Sequence, residues 1–155
     1  MASNLKVIID NNQSKIKIPS GTRMLVRRSC HAALLHKLYD KQTTISVVFA
    51  DNEILNAHSA QRASNFEAPE VIAIPSQDGE ESLGELIISI ERVLELTKVY
   101  DRPFEMGMVY ASVHGVFNLL GRYYTDQNEK NALMKEEAAV MGQMGFPPLA
   151  DYSSF

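Results

Sequence analysis

Between Phe104 and Leu120 the chain carries Met106, Met108, Val109, Tyr110, Val113, Val116, Phe117, Leu119 and Leu120, with Glu105 its single charged side chain. A helix that is apolar on nearly every side cannot lie on a surface and must run through the interior with other layers packed around it. The pattern therefore predicts a central buried helix at 103–121, entered after the breaker Asp101-Arg102-Pro103 and stopped by Gly121. The rest of the chain must supply the layers. Its 155 residues, 45% hydrophobic and 22% charged, suit one packed core rather than a disordered polymer. A single domain over 1–155 is expected, with a short irregular tail from about 146, where Phe146-Pro147-Pro148 follows Gly145.

Leu5 to Asp10 and Lys15 to Ile18 read as two short strands forming a hairpin across Asn11-Asn12-Gln13-Ser14. Ser20 is a candidate cap for a helix in which Val26, Cys30, Ala33, Leu34 and Leu38 recur at helical spacing, ending near Tyr39. Thr44 to Ala50 is a β-branched and apolar run, expected centrally in a sheet and covered on both faces. Asp51 can cap a weaker helix through about Ala63, and Val71-Ile72-Ala73-Ile74 before Pro75 reads as an edge strand. After an acidic loop from Ser76 to Ser82, Leu83 to Ser89 resumes as a strand, and Ser89 caps a helix marked by Ile90, Val93, Leu96 and Tyr100. Asp126 with Glu129 forms a capping-box pattern ahead of a stripe of Met134, Ala138 and Met141 that ends at Gly145. The fold class is α/β (α+β), a single mixed sheet of four to five strands with helices packed on it.

The formal net charge of −4 argues against wholesale nucleic-acid affinity, and no DNA partner is expected. A local basic patch is a separate matter. Arg23, Arg27 and Arg28 lie on the first predicted helix, either as a solvated face or as an RNA contact. Cys30 is the single cysteine, so no internal disulfide can form, and a lone thiol suits a reducing compartment. The first residues lack a basic stretch followed by an apolar core, and no run approaches the roughly 20 apolar residues of a membrane span. A cytoplasmic location without membrane attachment is expected.

Polar groups in a buried helix are costly unless paired, so His114 and Asn118 are the most informative residues of the central helix. Four apart, they share one face, and either a hydrogen-bonded core pair or two groups gripping one metal ion satisfies that spacing. His31, His36 and His58 stand in more polar segments without motif spacing and read as surface residues.

The segment His114-Gly115-Val116-Phe117-Asn118-Leu119-Leu120-Gly121-Arg122-Tyr123-Tyr124 resembles the signature helix of the YbeY family of bacterial endoribonucleases, H-G-x-L-H-L-x-G-Y-D-H. Leu83-Gly84-Glu85-Leu86-Ile87-Ile88-Ser89 is similar to the family strand L-G-D-I-V-I-S, and the order of elements is comparable along the whole chain. The resemblance implies a zinc ion held by three histidines with one coordination position open for water, and a role in ribosomal RNA maturation with ribosomal RNA or the small ribosomal subunit as partner. Only the first ligand is kept here, as His114. Asn118 stands at the second ligand position and Tyr124 at the third, with Arg122 and Tyr123 in place of the family's Tyr and Asp. The family arginine that works beside the zinc falls on Ala63, with Arg62 as the nearest candidate for a catalytic role.

An Asn amide is a poor zinc ligand and a Tyr phenol must first lose a proton, so zinc is expected to bind weakly or not at all. Three functions remain open. The first is a catalytically impaired member that keeps the fold and a ribosome-linked binding role. The second is an active metal-dependent single-strand endoribonuclease with an altered site, and the third is a non-catalytic binding module of another kind.

Overall fold

The computed structural model describes residues 4–60, 70–77, 81–122 and 124–146. Along these run β1 (Leu5–Asn11), α1 (Thr22–His36), β2 (Thr43–Ala50), α2 (Asn52–Ala60), β3 (Val71–Pro75), β4 (Ser82–Ser89), α3 (Ile90–Val99), α4 (Phe104–Leu119) and α5 (Gln127–Gln143). The strands form one mixed sheet in the order β1-β2-β4-β3. β2 pairs parallel with β1 and with β4, while β3 runs antiparallel to β4. β2 is thus an interior strand, and β3, ending in Pro75, forms an edge, as its proline predicts.

The period-2 alternation of the strands sorts the sheet into two faces. Ile45, Val47 and Phe49 of β2, Leu86 and Ile88 of β4, and Val71 and Ala73 of β3 join the buried cluster that contains α4. The opposite face is smaller: Ala50, Ile72 and Ile87 pack with Leu55 of α2. β2 is therefore fully covered on one face only, since Thr44, Ser46 and Val48 remain half-buried where α2 does not reach.

Every residue of α4 from Met106 to Leu119 is buried, as its all-round apolarity requires. Gly115 lets it approach the sheet. A Cβ there would stand 2.7 Å from Leu86 Cδ2 and 3.3 Å from Val71 Cγ2. Caps at Asp51, Ser89 and Asp126 are realised: each side chain accepts the backbone N–H three residues on, from Ile54 at 2.9 Å, Arg92 at 3.1 Å and Glu129 at 2.8 Å. Glu129 in turn accepts from the Thr125 N–H at 3.0 Å, so the box closes one residue earlier than the pattern implies.

Several expectations fail. The hairpin is absent: Lys15–Ile18 forms no strand, and β1 instead pairs with β2, Leu5 opposite Thr43. The buried Gln13 occupies the turn, its amide donating to the Ile16 carbonyl at 2.8 Å and accepting the Ile16 N–H at 2.9 Å, which satisfies locally what a ladder would have supplied. Nor does Ser20 cap α1. Gly21 stands at that position with φ 89°, without a side-chain cap, and α1 ends at His36, ahead of Tyr39. On α5 the buried stripe is Leu133, Glu137, Val140 and Met141, one step round from the expected one.

Candidate metal centre and the buried polar groups around it

The two polar residues of α4 are both deep, His114 at 3% and Asn118 at 1% exposure. His114 is matched by a group from another helix. Its Nδ1 is hydrogen-bonded to Oε2 of Glu137 on α5, whose side chain is 1% exposed. Tyr110, one turn earlier on α4, stacks on the imidazole with ring centroids 5.4 Å apart. Tyr124, in the connection from α4 to α5, lies close enough for Glu137 to act on it. Burial first, and then the charge of Glu137, push its hydroxyl above the ordinary phenol range. The Lys130 ammonium sits 5.9 Å from the Tyr124 ring centroid. Neither amide atom of Asn118 has a hydrogen-bond partner among the described residues, and Glu137 Oε1 also lacks one.

A second buried pair adjoins the first. Arg102 Nη2 donates to Oε2 of Glu70 at 3.2 Å, with both side chains almost wholly enclosed. Burial raises the Glu70 carboxyl above its usual range, against the opposing pull of the Arg102 and His114 charges. The Arg102 guanidinium lies 5.9 Å from the ring centroids of both Tyr100 and Tyr110. Tyr110 therefore lies beside both Arg102 and His114 and links the two buried polar pairs.

Of the residues singled out from sequence, His114, Asn118 and Tyr124 converge on this region. Arg62 and Ala63 lie outside the described residues. Arg23 and Arg28 are exposed and Arg27 is half-buried, all on the first half of α1. The surface reading of His36 needs correction: it is half-buried and stacks on Phe117 with centroids 6.1 Å apart. Glu137, Glu70 and Arg102 were not singled out. Glu137 had a signal: it stands between Leu133 and Val140 on a heptad-like apolar stripe, where an exposed carboxylate would be out of place.

The donor set does not fit zinc. It offers one imidazole, one neutral amide and one phenol whose ionisation burial opposes, where a zinc site wants three or four imidazole, thiolate or carboxylate donors. Among the described residues no group of three or more His, Cys, Asp or Glu is placed to hold a metal ion.

The family model described as Endoribonuclease YbeY matches residues 8–145. The Endoribonuclease YbeY of Alkaliphilus metalliredigens is 30% identical over 150 residues, covering 91% of this chain and 96% of the relative. That of Caldanaerobacter subterraneus is 28% identical over 156 residues, covering 91% and 98%. Among solved structures, the solution structure of a Thermotoga maritima protein superposes with a TM-score of 0.54 at 14% identity, covering 97% of this chain and 96% of that one.

Proposed function

Because the chain belongs to the YbeY endoribonuclease family, we propose that it keeps the family fold for a binding role in ribosomal RNA maturation and small-subunit assembly, without zinc-dependent cleavage. What supports this reading is the donor set around His114, where the resemblance to the family motif aligns Asn118 and Tyr124 with the second and third zinc ligands. Zinc in the family supplies an activated water to the phosphodiester. Here Glu137 fixes the tautomer and orientation of His114, and Tyr110 covers its ring. These contacts hold the imidazole in the core, and the donors offered beside it are an amide and a phenol rather than the imidazoles of a water-activating centre. Among the described residues no helix is long and apolar enough to cross a membrane.

One observation favours an active enzyme as the second reading. A carboxylate bonded to Nδ1 is the usual way a metal-ligating imidazole is oriented, with Nε2 left for the metal. Elemental analysis separates the two. The untagged, dialysed protein should hold far less than one equivalent of zinc, and a stoichiometric content that survives dialysis would put the nuclease reading first. Asn118→His with Tyr124→His should create zinc binding that the parent lacks, with a zinc-dependent rise in melting temperature. Co-sedimentation with small ribosomal subunits is the direct test of the binding role, and its absence at low salt would remove the ribosomal link.

A further inference from the structure

Glu136 is the neighbour of Glu137, yet about 100° round the helix it faces out and meets two cationic side chains and an imidazole. Lys37 Nζ donates to its Oε1 at 2.6 Å, and His36 Nε2 lies 3.7 Å from the same oxygen. Arg122 donates to both oxygens, from Nη1 to Oε1 at 3.4 Å and from Nη2 to Oε2. The four side chains are between 21% and 38% exposed, so the cluster is ordered but open to solvent. Three elements contribute: the end of α1, the connection after α4, and α5. Phe117 lies against two of these side chains, with His36 stacked on its ring and Lys37 Nζ 5.7 Å from its centroid.

We propose that His36, Lys37 and Arg122 form a binding site for a phosphodiester of single-stranded RNA, with Glu136 as a built-in competitor that occupies it when RNA is absent. An arginine fork, a lysine and an imidazole converging on one pair of oxygens is the donor arrangement that phosphate oxygens receive. One carboxylate leaves that set with surplus positive charge. Partly exposed ion pairs of this kind contribute little to stability, so an oxyanion of equal charge and more oxygens can displace Glu136 without unfolding α5. Burial works against the ionisation of Glu136, but the Lys37 hydrogen bond and the Arg122 charge outweigh it and hold its carboxyl below the usual range, so Glu136 is anionic at neutral pH. Arg122 lies within the segment that carries His114, Asn118 and Tyr124, which places the cluster beside the candidate centre. The proposal rests on the RNA-handling role above and adds to it the residues that hold the backbone.

The test is fluorescence anisotropy with a labelled single-stranded oligouridylate across a salt series. Lys37→Gln and Arg122→Gln should each weaken binding and lower the slope of log affinity against log salt by about 0.7, the value for one phosphate contact on a single strand. Glu136→Gln should tighten binding about fivefold, since a partly exposed network no longer has to be broken. Lys37→Arg keeps the charge and should bind like the parent. Melting temperatures accompany each variant. If Glu136→Gln melts lower and binds RNA no better, the cluster is a structural tie and the proposal is overturned. If inorganic phosphate protects Glu136→Gln as well as RNA does at equal phosphate concentration, the assignment to RNA falls. Ribosomal co-sedimentation separates the two ideas. A parent that co-sediments while Lys37→Gln and Arg122→Gln leave oligouridylate affinity unchanged keeps the ribosomal role and loses this site. A parent that does not co-sediment but shows the expected oligouridylate responses keeps the site and loses the role.

Discussion

Glu136 and Glu137 offer a matched pair for testing how much the buried His114–Glu137 hydrogen bond contributes. Both are glutamates in the middle of α5, so Glu→Ala at either carries the same slightly favourable change in helix propensity. Their surroundings differ. Glu137 is enclosed with His114, and its removal leaves the His114 Nδ1 hydrogen facing a hole. Breaking a buried pair from one side costs about 3 to 5 kcal/mol, and leaving a buried donor unmatched accounts for about 1 to 3 kcal/mol of that. Water entering the space left by the Glu137 side chain can offset some of the loss, which brings the expectation for Glu137→Ala to about 3 kcal/mol. In a domain of this size that lowers the melting temperature by about 6 to 12 °C. Glu136→Ala breaks only partly exposed pairs and should cost about 1 kcal/mol or less. Urea denaturation and thermal melts of both variants give the comparison. Equal losses, or a loss below about 1 kcal/mol for Glu137→Ala, would refute the placement of Glu137 as the buried partner of His114.

Other consequences can be checked with the same material. Phe117 is wholly buried on α4 and underlies His36 and Lys37, so Phe117→Ala should cost about 3 to 5 kcal/mol in denaturant unfolding. Burial pushes the Cys30 thiol up to about 12, so it should not react with Ellman's reagent at pH 8 until denaturant is added. Asp51 is held below the ordinary carboxylate range, first by the hydrogen bond from the Ile54 N–H and then by Lys15. A carboxyl with a depressed native pKa stabilises the fold above its unfolded value, and that contribution is lost as the pH falls through the native one. Asp51→Asn can still cap α2 but cannot titrate. The stability difference between parent and variant should therefore shrink from pH 7 to pH 3, and a constant difference would contradict the assignment.

Much of the fold was legible because its strongest signals are local. The all-round apolarity of α4, the caps at Asp51, Ser89 and Asp126, and Pro75 at the sheet edge are each written in a few adjacent residues. The hairpin misreading has the opposite cause. Four alternating residues at Lys15–Ile18 resemble a strand, but the real partner of β1 lies beyond a whole helix, and no local pattern marks a parallel pairing. At the candidate centre, His114 and Asn118 were readable as polar groups on an apolar helix, and Tyr124 through the resemblance of its segment to a known motif. Glu70 and Arg102 were not, since a charged residue in sequence looks like surface until its partner is known, and Glu137 offered only its place on the apolar stripe of α5, which names no partner. Glu70 and Arg102 meet across 32 residues, and Glu137 and His114 across 23, distances at which single-sequence patterns carry no register.

The strand order also bears on how fast the chain can reach this state. β3 and β4 are joined by a short connection and can pair early, whereas β2 meets β1 across α1 and meets β4 only after α2 and β3 have been passed. Both parallel interfaces of the sheet thus close long loops, and that entropy is lost before the contacts that repay it have formed. Refolding should consequently be slower than in a helical bundle of equal length, with β2 as the last strand to settle and the β3–β4 hairpin against α4 as the first part of the sheet to gain protection from hydrogen exchange.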